Sequence, residues 1–211
     1  MAASRETTVR IALAPMPVNA LSSYGLPGSS QAGGSVDLMT AAFSNAEYVL
    51  GGSKSASRYS NGEWPVLYTA TSVDTAVSEK GYWVYTSIFS KSARPTEVEC
   101  IEYQVTFEGV GLSLVNAVAD KPELVHPTDY SYCWRVAKEA REKNIDFLFA
   151  PSARRKGGVN VNLFRKTAVF EIGSCAAGSF LLGDGGVIKY ISNSTRCDLV
   201  IDDVFSLFSK N

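Results

Sequence analysis

Residues 58–83 read RYSNGEWPVLYTATSVDTAVSEKGYW and contain the clearest change of pattern in the chain. Val66 to Ala70 is a short apolar and aromatic run with the composition of a buried strand. Ser72 or Thr71 can cap a helix directly after it, and Asp74 in the first turn suits the positive end of the helix dipole. The stretch therefore predicts a strand that leads straight into a helix.

Three polar side chains interrupt this apolar stretch: Arg58, Tyr68 and Glu79, at intervals of 10 and 11 residues. Glu79 falls about two turns into the predicted helix, where it can face a cleft while Ala76 and Val77 face the core. Each of the three also has an ordinary interpretation, as a surface arginine in a polar turn, a packed tyrosine and a solvated helix charge. The spacing by itself leaves both interpretations open.

Outside this stretch, strand patterns outnumber helix patterns. Strands are predicted at Val9 to Leu13, Val98 to Gly109, Ile145 to Pro151, Val159 to Phe164 and Ala168 to Ile172, and a hairpin at 181–191 turns at Asp184 to Gly186. Further helices are predicted at Ser35 to Phe43 and Thr128 to Lys143. Because strands and helices do not alternate regularly, the predicted class is α+β, with mixed, mainly antiparallel sheets and a few helices.

The length of the chain limits the number of domains, and its net charge limits the classes of binding partner. A chain of 211 residues suits a single domain, which we divide into residues 1–57, a core of 58–172 and a C-terminal part of 173–211. The net charge is −1, from 20 basic and 21 acidic side chains, so neither nucleic acid nor a membrane surface is an expected partner. The start, MAASRETTVRIALAP, lacks the features of a signal peptide, and a cytoplasmic location is expected.

Cysteine and histidine give no metal site. Cys100, Cys133, Cys175 and Cys197 are far apart and are expected to be reduced core thiols. The single histidine, His126, precedes Pro127 and is expected to be a loop or capping residue rather than a base. The chemistry of this chain is therefore expected to use Arg, Glu, Asp, Tyr and Ser.

The loop SARRKGG, residues 152–158, follows a predicted buried strand. It carries a hydroxyl, three cations and two glycines, a composition able to hold a phosphate through backbone N–H groups and arginine. A charged loop is also commonly just solvated, and composition does not separate the two interpretations.

Two segments together resemble one family. RYSNGEWPVLYTATSVDTAVSE and TDYSYCWRVAKEAREKNIDFLFAPSARRKGGVNVNLF resemble, in order, two signatures of the RES-domain family of bacterial toxins, over Arg58 to about Phe170. The resemblance implies a fold similar to ADP-ribosyltransferases. It also implies consumption of NAD, by hydrolysis or phosphorolysis of the nicotinamide–ribose bond, while some members transfer ADP-ribose to a protein.

Carried over by position, the resemblance implies that Arg58, Tyr68, Glu79 and Ser152 are catalytic. A carboxylate such as Glu79 suits the reaction because the ribose becomes cationic as nicotinamide leaves. Arg58 is expected on the pyrophosphate, Tyr68 on the nicotinamide or its ribose, and Ser152 on the carboxamide or the ribose. The residues expected to bind NAD are Arg58, Tyr59, Tyr68, Ser152, Arg154 and Arg10, with Trp64 as a further stacking surface.

Three functions are therefore weighed. The first is a toxin that degrades NAD, with water or inorganic phosphate as the acceptor and NAD as substrate rather than resident cofactor. The second is a protein ADP-ribosyltransferase, and the third is an inactive RES-like module that only binds a partner. A cognate antitoxin or immunity protein is the expected protein partner. The sequence leaves open whether the chain forms homo-oligomers, and whether it is delivered into the cytoplasm of a target cell.

Overall fold

The computed structural model describes residues 8–15, 56–89, 97–183, 187–193 and 196–200. Nine strands form one sheet within these ranges: β1 Thr8–Pro15, β2 Leu67–Ala70, β3 Glu97–Phe107, β4 Gly111–Ser113, β5 Phe147–Pro151, β6 Val159–Leu163, β7 Val169–Leu182, β8 Val187–Ser192 and β9 Arg196–Val200. Their order across the sheet is β4-β5-β6-β2-β1-β3-β7-β8-β9. Neighbouring strands are antiparallel except β4 and β5, which are parallel. The α+β class and the mainly antiparallel pairing are confirmed.

Two α-helices accompany the sheet in the described ranges: α1, Val73–Val84, and α2, Ser131–Glu142. The Ser72 hydroxyl accepts the Thr75 N–H at 3.2 Å, so Ser72, of the two predicted candidates Ser72 and Thr71, is the cap. Short helical turns lie at Tyr85–Phe89, Val115–Ala117, Pro122–Val125 and Lys166–Ala168.

Helix α2 begins three residues after its predicted start at Thr128. The reason is local hydrogen bonding: His126 Nδ1 accepts the N–H groups of Thr128 and Asp129, at 3.3 and 2.8 Å, and an Asp129 carboxylate oxygen accepts that of Ser131 at 2.9 Å. These side chains give the backbone a turn in place of a helix. The prediction of His126 as a loop residue is confirmed.

One predicted strand end is wrong. The strand expected at Ala168 to Ile172 continues as β7 to Leu182, because β3 offers pairing partners along nearly its whole length, as far as Glu97 opposite Leu181. The small residues of this segment give a weak strand pattern, so the sequence does not reveal the extension. The hairpin from β7 to β8 is confirmed, while its turn at 184–186 and the predicted helix at Ser35 to Phe43 lie outside the described residues.

The two faces of the sheet differ in chemistry at strand β6. Val161 and Leu163 enter an apolar cluster with Phe107 and Phe147, whose rings are 4.8 Å apart edge to face. Alternation along β6 puts Asn160 and Asn162 on the opposite face.

That opposite face is covered by both helices. Helix α2 packs three buried residues against the neighbouring strand β5, in a cluster that includes Cys133, Ala137, Ala140, Leu148 and Ala150. Helix α1 reaches the same face through Glu79, which contacts Asn160. Polar strand residues therefore lie beneath the helices at one place in the sheet, where Asn160 contacts Glu79.

No helix in the described part of the chain has the length and apolar character needed to cross a membrane. Within the same residues, no cluster of three or more His, Cys, Asp or Glu side chains is arranged to hold a metal ion. Cys100 and Cys133 are buried free thiols, as expected, and the side chains of Cys175 and Cys197 lie outside the description.

Candidate functional site

The Glu79 carboxylate is the centre of the site. Its Oε1 atom accepts three hydrogen bonds: from Ser152 Oγ at 2.6 Å, from Asn160 Nδ2 at 2.8 Å and from the Ala153 N–H at 3.2 Å. Among the described residues, no donor reaches Oε2. One oxygen therefore fixes the orientation of the carboxylate, and the other remains available to a ligand.

Three elements bring these groups together. Glu79 lies on α1, Ser152 and Ala153 directly follow β5, and Asn160 lies on β6. The start of α1 is tied to β6 by a hydrogen bond from the Thr71 N–H to the Val159 carbonyl at 2.9 Å. The chain therefore turns from β2 into α1 at a fixed distance from β6, and Glu79 faces the sheet.

The loop of residues 152–158 is closed on itself and packed closely against α1. The Ser152 N–H donates to the Gly158 carbonyl at 2.8 Å, and the Gly158 N–H donates to that of Arg155 at 3.0 Å. A Cβ at Gly158 would lie 2.8 Å from Thr75 Oγ1 and 3.0 Å from its methyl carbon. Glycine is needed here for the close approach of the loop to the helix.

Ser152 uses its hydroxyl fully within the protein. Besides donating to Glu79, Oγ accepts the N–H groups of Arg154 at 3.1 Å and Arg155 at 3.0 Å, and the residue is 1% exposed. The structure thus brings Ser152 and Glu79 together, and gives the serine the geometry of a residue that positions the carboxylate.

Arg58 is buried and engages the loop before α2. Its Nη1 atom donates to the carbonyls of His126 at 2.8 Å and Leu124 at 3.4 Å, and its guanidinium carbon lies 4.5 Å from the centre of the Tyr130 ring. The predicted contact with a pyrophosphate stays a prediction, and the partners seen here are backbone carbonyls and an aromatic face.

Arg154 holds the next carbonyl of the same loop. Its Nη2 donates to the Pro127 carbonyl at 2.7 Å, and its guanidinium stacks 3.3 Å from the centre of the Tyr82 ring on α1. Arg155, by contrast, points away to a half-exposed ion pair with Asp74 at 2.8 Å. Arg58 and Arg154 thus donate hydrogen bonds to consecutive backbone carbonyls. Neither has a carboxylate partner among the described residues.

Tyr68 lies beside this arrangement on β2. The residue is 38% exposed, and its hydroxyl accepts the Tyr59 N–H at 2.9 Å and shares a 2.7 Å hydrogen bond with Ser57 Oγ. Burial raises the pKa of Tyr68 to about 12, against the lowering effect of those hydrogen bonds and of the Arg58 charge. The hydroxyl therefore stays protonated at neutral pH.

Tyr59 and Trp64 occupy core positions. Tyr59 is fully buried in the cluster with Leu148, and burial, with a contribution from the Cys133 thiol, raises its pKa well above the ordinary value. The Trp64 indole donates to the Tyr59 carbonyl at 2.8 Å and borders a hollow of about 330 Å³ with Glu63, Lys138, Arg141 and Glu142. In this structure neither ring is among the contacts of Glu79.

Arg10 lies on β1, opposite Val105 of β3, so its backbone is in the centre of the sheet. Its side chain is outside the description, and its predicted contact with NAD stays a prediction.

Two residues of the site were not predicted from the sequence. Asn160 donates to Glu79, and Asn162 lies two residues further along β6 on the same face. The signal available was the alternation VNVNL, in which two amides replace the apolar residues expected of a strand buried on both faces. Tyr82 and Tyr130 provide the aromatic faces on which Arg154 and Arg58 stack.

Comparison with protein-family models matches the model described as RES domain to residues 32–176. This range includes every predicted site residue except Arg10. A search of curated proteins finds no match.

Proposed function

The chain belongs to the RES domain family, and on that premise we propose that it degrades NAD by cleaving the bond between nicotinamide and ribose, with water or inorganic phosphate as the acceptor. The proposed biological role is that of a toxin that depletes cellular NAD, controlled by a cognate antitoxin or immunity protein.

The observation that carries this proposal is the arrangement of the Glu79 carboxylate. Cleavage of the nicotinamide–ribose bond develops positive charge on the ribose, and a fixed carboxylate stabilises that charge in the transition state. Three donors, from Ser152, Ala153 and Asn160, converge on Oε1. The carboxylate is therefore already oriented and needs little rearrangement when the ribose binds. Oε2 is the oxygen proposed to face the ribose.

The proposed reaction needs no strong acid. When the bond breaks, its electron pair passes to the ring nitrogen of nicotinamide, which leaves as a neutral base. The attacking water forms the new bond to the ribose carbon and loses a proton, for which Glu79 Oε2 is the nearby acceptor in this proposal. Phosphate would attack as an anion and would depend less on a proton acceptor.

Two buried arginines support an anionic substrate. Arg58 and Arg154 are 8% and 3% exposed, and their partners are carbonyls and aromatic rings rather than carboxylates. Carbonyls and rings hold the two guanidinium groups in place but do not neutralise their charge, and a pyrophosphate would supply the missing negative charge. The two guanidinium groups donate hydrogen bonds to the adjacent carbonyls of His126 and Pro127. They therefore place two positive charges on one side of the site.

Glu79→Gln tests the proposal. The amide oxygen of glutamine can keep the three donors in place, so the variant removes the charge and leaves the fold intact. Purified protein is incubated with NAD, with and without phosphate, and the products are resolved by mass. We expect ADP-ribose or its phosphorylated counterpart from the wild type, and turnover lower by about two to four orders of magnitude in the variant. Glu63→Gln, an exposed position, is the matched control.

The same assay separates the other functions. Labelled NAD with cell lysate leaves label on a protein only if ADP-ribose is transferred to it. A protein that binds a cognate antitoxin but neither binds nor consumes NAD would be an inactive module. Wild-type turnover in a folded Glu79→Gln variant would remove the proposed mechanism.

A further inference from the structure

Asn162 on β6 is a fully buried amide without a hydrogen-bond partner. Neither its Oδ1 nor its Nδ2 atom is paired with any described residue, and the side chain is 0% exposed. Buried polar side chains are nearly always paired, so an exception calls for a physical reason. The Tyr59 hydroxyl is the other buried group without a nitrogen or oxygen partner in the described ranges, and it has the Cys133 thiol beside it.

The position of Asn162 connects it to the Glu79 site. The strand register puts it directly between Tyr68 of β2 and Leu148 of β5. It shares a face with Asn160, which donates to Glu79 at 2.8 Å. The unpaired amide of Asn162 is therefore two residues along β6 from Asn160, which holds the proposed catalytic carboxylate.

The amide offers one donor and one acceptor side by side. Another primary carboxamide satisfies both at once, because it presents the same pair in reverse. Ser152 was expected to read a carboxamide or a ribose, but its hydroxyl proton is given to Glu79 and its oxygen accepts two backbone N–H groups. One N–H of the Asn160 amide is likewise used by Glu79.

We propose that Asn162 recognises the carboxamide of the nicotinamide ring and so selects substrates with an amide over those with a carboxylate at that position. The inference rests on the proposed cleavage of NAD and names the group that determines its specificity. A carboxylate offers two acceptors and no donor, so it leaves Oδ1 of Asn162 unpaired and is disfavoured.

Entry to Asn162 requires a neighbouring side chain to move, because the amide is enclosed. Its cross-strand partner Tyr68 is the exposed neighbour, with 38% of its surface open to solvent. That ring is held at its hydroxyl by Ser57 Oγ and the Tyr59 N–H. A shift of Tyr68 that opens the amide would at the same time put its ring beside the bound nicotinamide.

The test is Asn162→Leu, which replaces the amide by an apolar group of similar shape, with Asn116→Leu at an exposed position as control. Turnover is measured with NAD and with the analogue in which a carboxylate replaces the carboxamide. We expect kcat/KM for NAD to fall about ten- to a hundredfold in the variant, as two hydrogen bonds are lost, with little change for the analogue. The melting temperature should stay equal or rise, because an unpaired buried amide is removed.

Binding of nicotinamide and nicotinic acid, measured by calorimetry, keeps the inference separate from the proposed reaction. The wild type should prefer nicotinamide, and the variant should lose that preference even if the protein turns over no NAD. A wild type without the preference, or a variant that keeps it, would overturn the role of Asn162. Asn162→Val gives a second apolar variant should leucine prevent folding.

Discussion

Ser152 donates its hydroxyl proton to Glu79 across 2.6 Å, although the two residues are 73 positions apart in the chain. The contact joins the loop after β5 to the middle of α1. With Asn160 from β6, it makes the carboxylate the meeting point of three separate segments. The orientation of Glu79 therefore depends on how these segments pack against one another.

Asn160→Ala should lower NAD turnover about ten- to a hundredfold, because the carboxylate loses one of its three donors and its orientation loosens. Asn160→Asp should be more severe, since it puts a second carboxyl group at the place where a donor stood, and one of the pair must then hold a proton. The pH–rate profile of this variant should shift relative to the wild type. Asn116→Ala, on the surface, should leave turnover and profile unchanged; an unshifted profile in a folded Asn160→Asp protein would argue against contact between the two side chains.

Substitutions at two adjacent glycines should distinguish an effect on the geometry of the site from an effect of backbone strain on stability. Gly158→Ala introduces a Cβ 2.8 Å from Thr75 Oγ1 and 3.1 Å from the Arg155 carbonyl, so the loop and α1 must move apart. We expect turnover to fall at least about tenfold, because the Ser152–Glu79 contact spans that boundary. Gly157 has open space around it but a φ of +73°, so Gly157→Ala should cost about 1–2 kcal/mol of stability with turnover preserved. Equal turnover in the two variants would contradict the assigned packing.

Two adjacent arginines should differ in their contribution to stability. Arg154→Met removes a partly buried hydrogen bond to the Pro127 carbonyl and the stack on Tyr82, and should lower the free energy of unfolding by about 1–3 kcal/mol. Arg155→Met breaks an ion pair with Asp74 whose side chains are 41% and 49% exposed, and should cost under about 1 kcal/mol. Both variants change the net charge equally, so chemical denaturation compares the local contacts directly. A larger loss for Arg155→Met would reverse the assignment of roles.

Lys80 should make stability depend on pH. Burial lowers the pKa of Lys80 to about 8, partly opposed by Cys100, and its ammonium lies 4.0 Å over the Trp83 ring. The unfolded chain keeps the lysine proton up to its ordinary pKa near 10.5, so between these values the unfolded state binds more protons and stability rises with pH.

The free energy of unfolding should therefore increase from about pH 7 to pH 9, and the increase should disappear in Lys80→Met. The window ends there because burial also raises the pKa of Cys100 to about 11, which makes stability fall above the ordinary thiol value of 9.0. Lys138→Met, at an exposed position of α2, should keep the wild-type pH dependence. A slope that persists in Lys80→Met would assign it to another group.

The sequence by itself predicted most of the strands, the two described α-helices and the residue types of the site. Apolar and aromatic runs predicted most strands, Ser72 or Thr71 predicted the start of α1, and the two motifs carried the resemblance to the RES domain family that the family match confirms. These are local properties, because side-chain periodicity, capping and turn formation depend on residues only a few positions apart. The likeness to ADP-ribosyltransferases stays a prediction.

Only the tertiary structure decided which residues from distant segments contact one another. It gave Ser152 a positioning contact with Glu79, directed Arg58 and Arg154 to neighbouring carbonyls of one loop, and put Asn160 on the carboxylate while leaving Asn162 unpaired. It also extended β7 by continued pairing with β3. Hydrogen bonds between segments distant in sequence depend on sheet register and helix packing, and a register shift of one residue would have turned both asparagines to the opposite face.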